Sequence, residues 1–144
     1  MKRLRSLFSA FVLTALVFGC IKEEPACGCV FPESPLKGDW KLAKITYGLT
    51  QKTVTPQEAG YTETISFLGD YGSGNFKLVR NGIPVQTSEF SINFPNGGNS
   101  EGIIYFRIDT TQQSFRLADN KLFLAERTRQ NVVIADGSTY EYNR

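Results

Sequence analysis

The sequence predicts an all-β fold, an eight-stranded antiparallel up-and-down β-barrel preceded by a signal peptide and an extended linker. Three observations carry this prediction. From residue 40 onward, apolar and polar residues alternate in short runs, the signature of half-buried strands. Gly-, Asn- and Asp-rich turn signals interrupt those runs at intervals of roughly 8 to 12 residues, and no long helical period appears. Nearly every connection is short, so strands adjacent in sequence should be adjacent in the sheet. Closure into a barrel then removes the exposed edges that an open sheet would carry.

The 144 residues suffice for one domain, but the chain does not begin with it. Lys2, Arg3 and Arg5 form a basic start, and Leu7 to Phe18 is an apolar run broken only by Ser9 and Thr14. About a dozen apolar residues are too few to span a bilayer as a helix, so residues 1–19 read as a cleaved signal peptide. Val17-Phe18-Gly19-Cys20 resembles the lipobox of bacterial lipoproteins, although Phe18 is bulkier than the residue usual there. The resemblance implies that the chain is cut before Cys20, whose sulfur is diacylated and whose new amine is usually acylated too. At about 0.8 kcal/mol per buried methylene, two or more acyl chains hold a domain stably on a membrane. Ile21-Lys22-Glu23-Glu24 resembles the export signal of surface lipoproteins in Bacteroidetes-type bacteria. That likeness implies a lipid-anchored protein of the outer membrane displayed at the cell surface, with the inner leaflet of that membrane as the other destination.

Cleavage before Cys20 removes three of the 16 basic side chains and none of the 14 acidic ones, so the mature chain carries one excess negative charge. A near-neutral chain without a basic block argues against nucleic acid as a partner. Cys27-Gly28-Cys29 leaves three readings open: no specific role, a disulfide, or metal binding. A bridge across one residue is strained, and metal binding needs ligands beyond two thiols in a chain with no His. No cofactor is expected.

The elements follow in order. Residues 20–35 form the lipidated Cys and a linker, with Pro25, Pro32, Pro35 and Gly28 and no hydrophobic period. The barrel domain is assigned to 36–144. Trp40 to Tyr47 is the first strand; Trp40 and Leu42 share one parity, Ala43, Ile45 and Tyr47 the other, which predicts a bulge. Thr55-Pro56-Gln57-Glu58 predicts one capped helical turn. Tyr61 to Leu68 alternates cleanly, and Gly69 to Gly74 reads as a loop. Asn75 to Arg80 and Ile83 to Phe94 flank Asn81-Gly82, the strongest hairpin signal in the chain, since a type I′ turn needs positive φ at both central residues. Pro95 to Gly102 is a loop, followed by strands at Ile103 to Thr110 and Ser114 to Ala118. Asp119-Asn120 is a tight turn into Lys121 to Arg129. Asp136-Gly137 is a second hairpin signal, before Thr139 to Asn143.

Gly38-Asp39-Trp40 ahead of the first strand resembles the G-x-W signature of lipocalin and calycin barrels. Together with Leu122-x-Leu124 and Asp136-Gly137 followed by Tyr140-x-Tyr142-x-Arg144, it makes the chain similar to the small lipocalin-like lipoproteins of Bacteroidetes over residues 36–144. The resemblance implies that Trp40 closes the barrel floor and that an Arg packs over its indole. Arg127, Arg129 and Arg144 are the candidates, with Arg127 taken first. The chain is too short for the C-terminal helix of longer lipocalins, which argues against a large ligand cup.

Catalysis is not expected. Without His there is no Ser-His-Asp or Cys-His arrangement and no imidazole base. Glu63, Glu89, Asp109 and Glu126 are scattered one per strand, where charges ordinarily face solvent. Phe67, Phe76, Phe90, Phe106 and Phe115 have parities that direct them to one interior. They either fill it, as an eight-stranded barrel permits, or line an apolar pocket open at the end away from Trp40. Two functions follow: binding of a small apolar ligand in the barrel mouth, or an accessory role in which a filled barrel presents its loops, Gly69 to Gly74 and Pro95 to Gly102, to an outer-membrane protein or a glycan.

Overall fold

The computed structural model describes residues 33–95 and 97–144; Cys20, Cys27, Cys29 and the signal-peptide assignment lie outside them. The ten strands are β1 (Gly38–Thr46), β2 (Thr53–Val54), β3 (Glu63–Asp70), β4 (Ser73–Arg80), β5 (Ile83–Asn93), β6 (Glu101–Phe106), β7 (Thr111–Ala118), β8 (Lys121–Ala125), β9 (Thr128–Arg129) and β10 (Thr139–Asn143). One helical turn, α1 (Pro56–Ala59), follows β2.

Leaving aside the two-residue strands β2 and β9, eight strands pair antiparallel in the order β1, β3, β4, β5, β6, β7, β8, β10. Pairing of β10 with β1 closes the ring, Lys41 opposite Asn143 and Thr46 opposite Thr139. The all-β, up-and-down closed barrel is therefore the architecture of this chain.

The local chemistry of the turns explains the path. Asn81 and Gly82 both take positive φ, 50° and 78°, and join β4 to β5. Asp119 and Asn120 do the same between β7 and β8, at 52° and 58°. Thr55 caps α1 through its side chain while Glu58 reaches back, a complete capping box. The parity switch in β1 is a register shift between Leu42 and Lys44, and it lets Trp40, Leu42 and Ile45 all face inward.

Four boundaries differ from the sequence reading. Gly69 to Gly74 is not a loop: β3 and β4 pair out to Asp70 and Ser73, leaving Tyr71-Gly72 as the turn. The sixth strand stops at Phe106, because Asp109 Oδ1 accepts from the Thr111 amide and hydroxyl and turns the chain into β7 at residue 111. Lys121 to Arg129 is two strands; β9 leaves β10 and pairs only with β7. Asp136-Gly137 is not a two-residue hairpin but part of the long connection from β9 to β10. That loop crosses close to β1's end, where a Cβ on Gly48 would collide with the Asp136 carbonyl.

Antiparallel order places the Asn81-Gly82 turn and the connections 47–52, 107–110 and 130–138 at one end, called the mouth. Tyr71-Gly72, the 94–100 connection, Asp119-Asn120 and residue 144 lie at the other end, the floor. Residues 33–35, assigned to the linker, belong to this floor. Glu33 bridges to Asp70, and Ser34 is buried beneath Leu36.

Candidate functional site

The interior changes character along the barrel. At the floor it is apolar and packed. Trp40 is 1% exposed and its Nε1 donates to the Leu36 carbonyl at 2.8 Å. Phe67 meets Phe76 and Phe90 with ring centroids 5.3 and 5.2 Å apart, and Phe76 meets Phe106 at 4.9 Å. These tilted and edge-on contacts are the arrangements aromatic rings prefer. Toward the mouth, inward positions become polar: Glu63, Ser88 and Gln113 are buried there.

Between the two regions lies a cavity of about 310 Å³. Ile65, Phe76, Leu78 and Leu124 form its apolar wall, while Glu63, Arg80, Gln113, Glu126, Arg127, Tyr140 and Tyr142 supply polar groups. Its position is fixed by register, since Tyr140 pairs with Ile45 at the mouth end of β1, five residues along from Trp40.

Two arginines shape the site differently. Arg80 gives both Nε and a terminal nitrogen to Glu63 Oε2, at 3.0 and 2.6 Å, and lies 4.4 Å over the Tyr61 ring. Tyr142 donates its hydroxyl to the other Glu63 oxygen at 2.7 Å. This ties β3, β4 and β10 together across the barrel. Arg127 stacks 3.5 Å over Phe106 and 5.2 Å from Phe76, and donates to Gln86 Oε1 at 2.6 Å. Asp109 stands 3.7 Å from it, beyond hydrogen-bond range.

The electrostatics follow. Burial, reinforced by the Glu63 charge and its hydrogen bond, pushes the Tyr142 phenol well above its ordinary value of 10.0. Burial also raises Tyr140 and Tyr61. The Glu63 hydrogen bond raises Arg80, whereas burial lowers Arg127 against the opposing pull of Asp109. For Asp109, burial acts upward, but hydrogen bonds from Thr111 and the Arg127 charge outweigh it and leave its carboxyl lowered.

Arg127 does not pack on Trp40. It lies at the mouth, and the residue over the indole is Arg144, 4.4 Å from the ring. The reason is register: Asn143 pairs with Lys41, so the next residue reaches the floor beside Trp40, where Arg144 also donates to the carbonyls of Pro35 and Lys37. Gly38, at φ 119°, starts β1 opposite Phe67. Of the five phenylalanines considered for the pocket, Phe76 faces the cavity and Phe106 supports Arg127. Phe67, Phe90 and Phe115 lie in the filled core. Glu63 does not face solvent; its two partners make burial affordable for a carboxylate. Glu89 remains exposed and pairs with Arg107 at 3.1 Å.

No family model and no curated protein matches the chain. Solved structures similar to it include a mutant of the fluorescent protein UnaG, at 13% identity over 75% of this chain and 94% of that one, with a TM-score of 0.45. Another is a Schistosoma mansoni fatty acid binding protein in complex with arachidonic acid, at 10% identity over 76% and 95% of the two chains, also at 0.45. Wild-type UnaG gives 14%, 75%, 96% and 0.44. At these scores the architecture rests on the chain's own strand pairing.

Proposed function

We propose that this chain is a membrane-tethered, non-enzymatic binding module that holds a small amphipathic ligand in the mouth of its barrel. The observation that carries the reading is the cavity itself: about 310 Å³ inside a closed barrel, apolar on one wall and polar on the other. That volume sits at the small end of the roughly 300–1,000 Å³ found for small-molecule sites. The packed floor leaves no deeper cup, so the ligand is compact or leaves part of itself in the mouth.

The neutral fluorophore N-phenyl-1-naphthylamine is the probe of choice for the purified full chain. Trp40 is a poor reporter, because it lies at the floor and does not line the cavity. Emission should rise saturably with probe, and Leu78→Trp, which fills the cavity from its wall, should weaken binding at least tenfold without loss of the strand signal in circular dichroism. Absence of saturable binding, or equal binding by the filled variant, refutes the reading.

The tether is proposed to be an acylated Cys20 that anchors the chain in an outer membrane, with the domain at the cell surface. The sequence Val17-Phe18-Gly19-Cys20 and the following Ile21-Lys22-Glu23-Glu24 support it. Cys20→Ala should shift the protein out of the detergent-extracted membrane fraction. Unchanged partitioning contradicts lipidation.

The accessory reading retains one supporting feature. Leu49, Ile83, Ile108 and Val133 are 82%, 67%, 66% and 92% exposed; Ile83 opens β5 at the mouth, and the other three stand on connections there. A partner would therefore meet that end, whereas the turn at Tyr71-Gly72 and the 94–100 connection lie at the floor.

A further inference from the structure

We infer that Arg127 is an anion subsite and that the ligand is a compact organic acid, its carboxylate on the guanidinium and its apolar body against Phe76, Leu78 and Leu124. This rests on the cavity being a ligand site and goes on to name the ligand's chemical class.

The inference comes from which charges in the cavity are already matched. Glu63 receives both Arg80 nitrogens and the Tyr142 hydroxyl. Glu126 accepts the Ser138 amide at 2.8 Å, on the side of the loop that leads into β10. Asp109 accepts from Thr111 through one oxygen and from Gln86 at 3.2 Å through the other. Arg127 is met in charge by Asp109 at 3.7 Å but not in hydrogen bonds. A guanidinium has five N–H donors in a rigid fork, and here one hydrogen bond to Gln86 is made. The remaining donors meet no acceptor among the described residues. The head group is nonetheless held: its face lies on Phe106, its edge is braced by Gln86, and Asp109 attracts it from 3.7 Å. Its side chain is only 20% exposed, so solvent satisfies these donors poorly.

A rigid, partly desolvated fork with unmet donors is matched by a carboxylate, which accepts two parallel N–H bonds. The other charges on the cavity wall limit the ligand further. Two guanidinium groups, Arg80 and Arg127, stand among three carboxylates: Glu63, which Arg80 pairs, Asp109, 3.7 Å from Arg127, and Glu126. A single negative charge can be received by Arg127; a phosphate dianion would add a second charge facing three carboxylates. The wall opposite is built from Phe76, Leu78 and Leu124, which suits an aryl or short alkyl body.

The test compares 4-phenylbutyrate with its uncharged amide, 4-phenylbutyramide, by isothermal titration calorimetry on the purified full chain. The acid should bind about tenfold or more tightly than the amide, the range expected for hydrogen bonds to a charged partner. In Arg127→Met, which keeps apolar packing on Phe106, the acid-to-amide ratio should collapse to about one. In Arg127→Lys, which keeps the charge without the fork, it should fall between the two. Equal binding of acid and amide to the wild type overturns the inference while leaving the binding function intact. A ratio unchanged in either variant that folds also overturns it. Failure of acid, amide and N-phenyl-1-naphthylamine alike removes the binding function itself.

Discussion

Trp40→Ala should destabilise the barrel by about 4 kcal/mol, in the range for truncating a buried Trp in a packed core. The side chain is 1% exposed, and its loss opens a void at the floor between β1 and Leu36, itself fully buried. The cost exceeds lost packing. The Leu36 carbonyl loses the indole N–H it accepts at 2.8 Å, and a buried carbonyl without a donor adds about 1–3 kcal/mol unless water enters the void. At a urea slope of about 1.5 kcal/mol/M, the unfolding midpoint should fall by about 2–3 M. Far-UV circular dichroism is the readout, since the variant has no Trp emission. Arg144→Ala should cost much less, about 1 kcal/mol, because it removes an exposed cation stacked on the ring and two hydrogen bonds at the barrel's end. A Trp40→Ala loss below about 1.5 kcal/mol would mean that the indole is not the floor's main plug.

Trp40 was legible because it is unique in the chain and stands where the alternation begins. The strands were legible for a similar reason: period-two runs and turns such as Asn81-Gly82 are local signals, written within a few residues. What the sequence concealed is non-local. Which Arg lies on Trp40 depends on the β1–β10 register, which joins residues about a hundred apart, and Arg144 wins only because Asn143 sits opposite Lys41. Glu63 shows the same limit in a sharper form. Its parity matches Ile65 and Phe67, but an inward carboxylate without partners is costly, which favoured the reading that it faces solvent. Those partners, Arg80 and Tyr142, lie 17 and 79 residues away. The place of Arg127 at the mouth rather than over Trp40 was hidden because the chain leaves the regular strand after Ala125, and parity stops reporting direction there. Packing among Phe67, Phe76, Phe90 and Phe106 likewise decided how much of the interior is filled, which composition alone leaves open.

The cluster joining Glu63, Arg80 and Tyr142 yields the second large effect. Arg80→Met should cost about 3 kcal/mol, because it leaves the Glu63 carboxylate, 4% exposed, with a phenol as its remaining side-chain partner. The low end of the range for a broken buried pair applies, since the Arg80 side chain is itself 46% exposed and its own desolvation is incomplete. Removing both charges should be milder: Glu63→Leu combined with Arg80→Met should recover most of the loss, because no uncompensated charge remains. Urea denaturation of the two single variants and the double variant measures this coupling. Additive losses would show that the carboxylate is hydrated from the cavity and gains little from Arg80. Tyr142 adds a pH signature. Its phenol is held well above its ordinary value of 10.0, so the folded chain keeps a proton that the unfolded chain releases. The stability linked to this proton is fully present below about pH 10 and is lost as pH rises above it. Tyr142→Phe should therefore be less stable than the wild type at neutral pH by about 1–2 kcal/mol, for the lost hydrogen bond to a charged acceptor. The gap should narrow above about pH 10, because Phe has no proton to release. A gap that is constant with pH would place the hydroxyl in solvent rather than against Glu63.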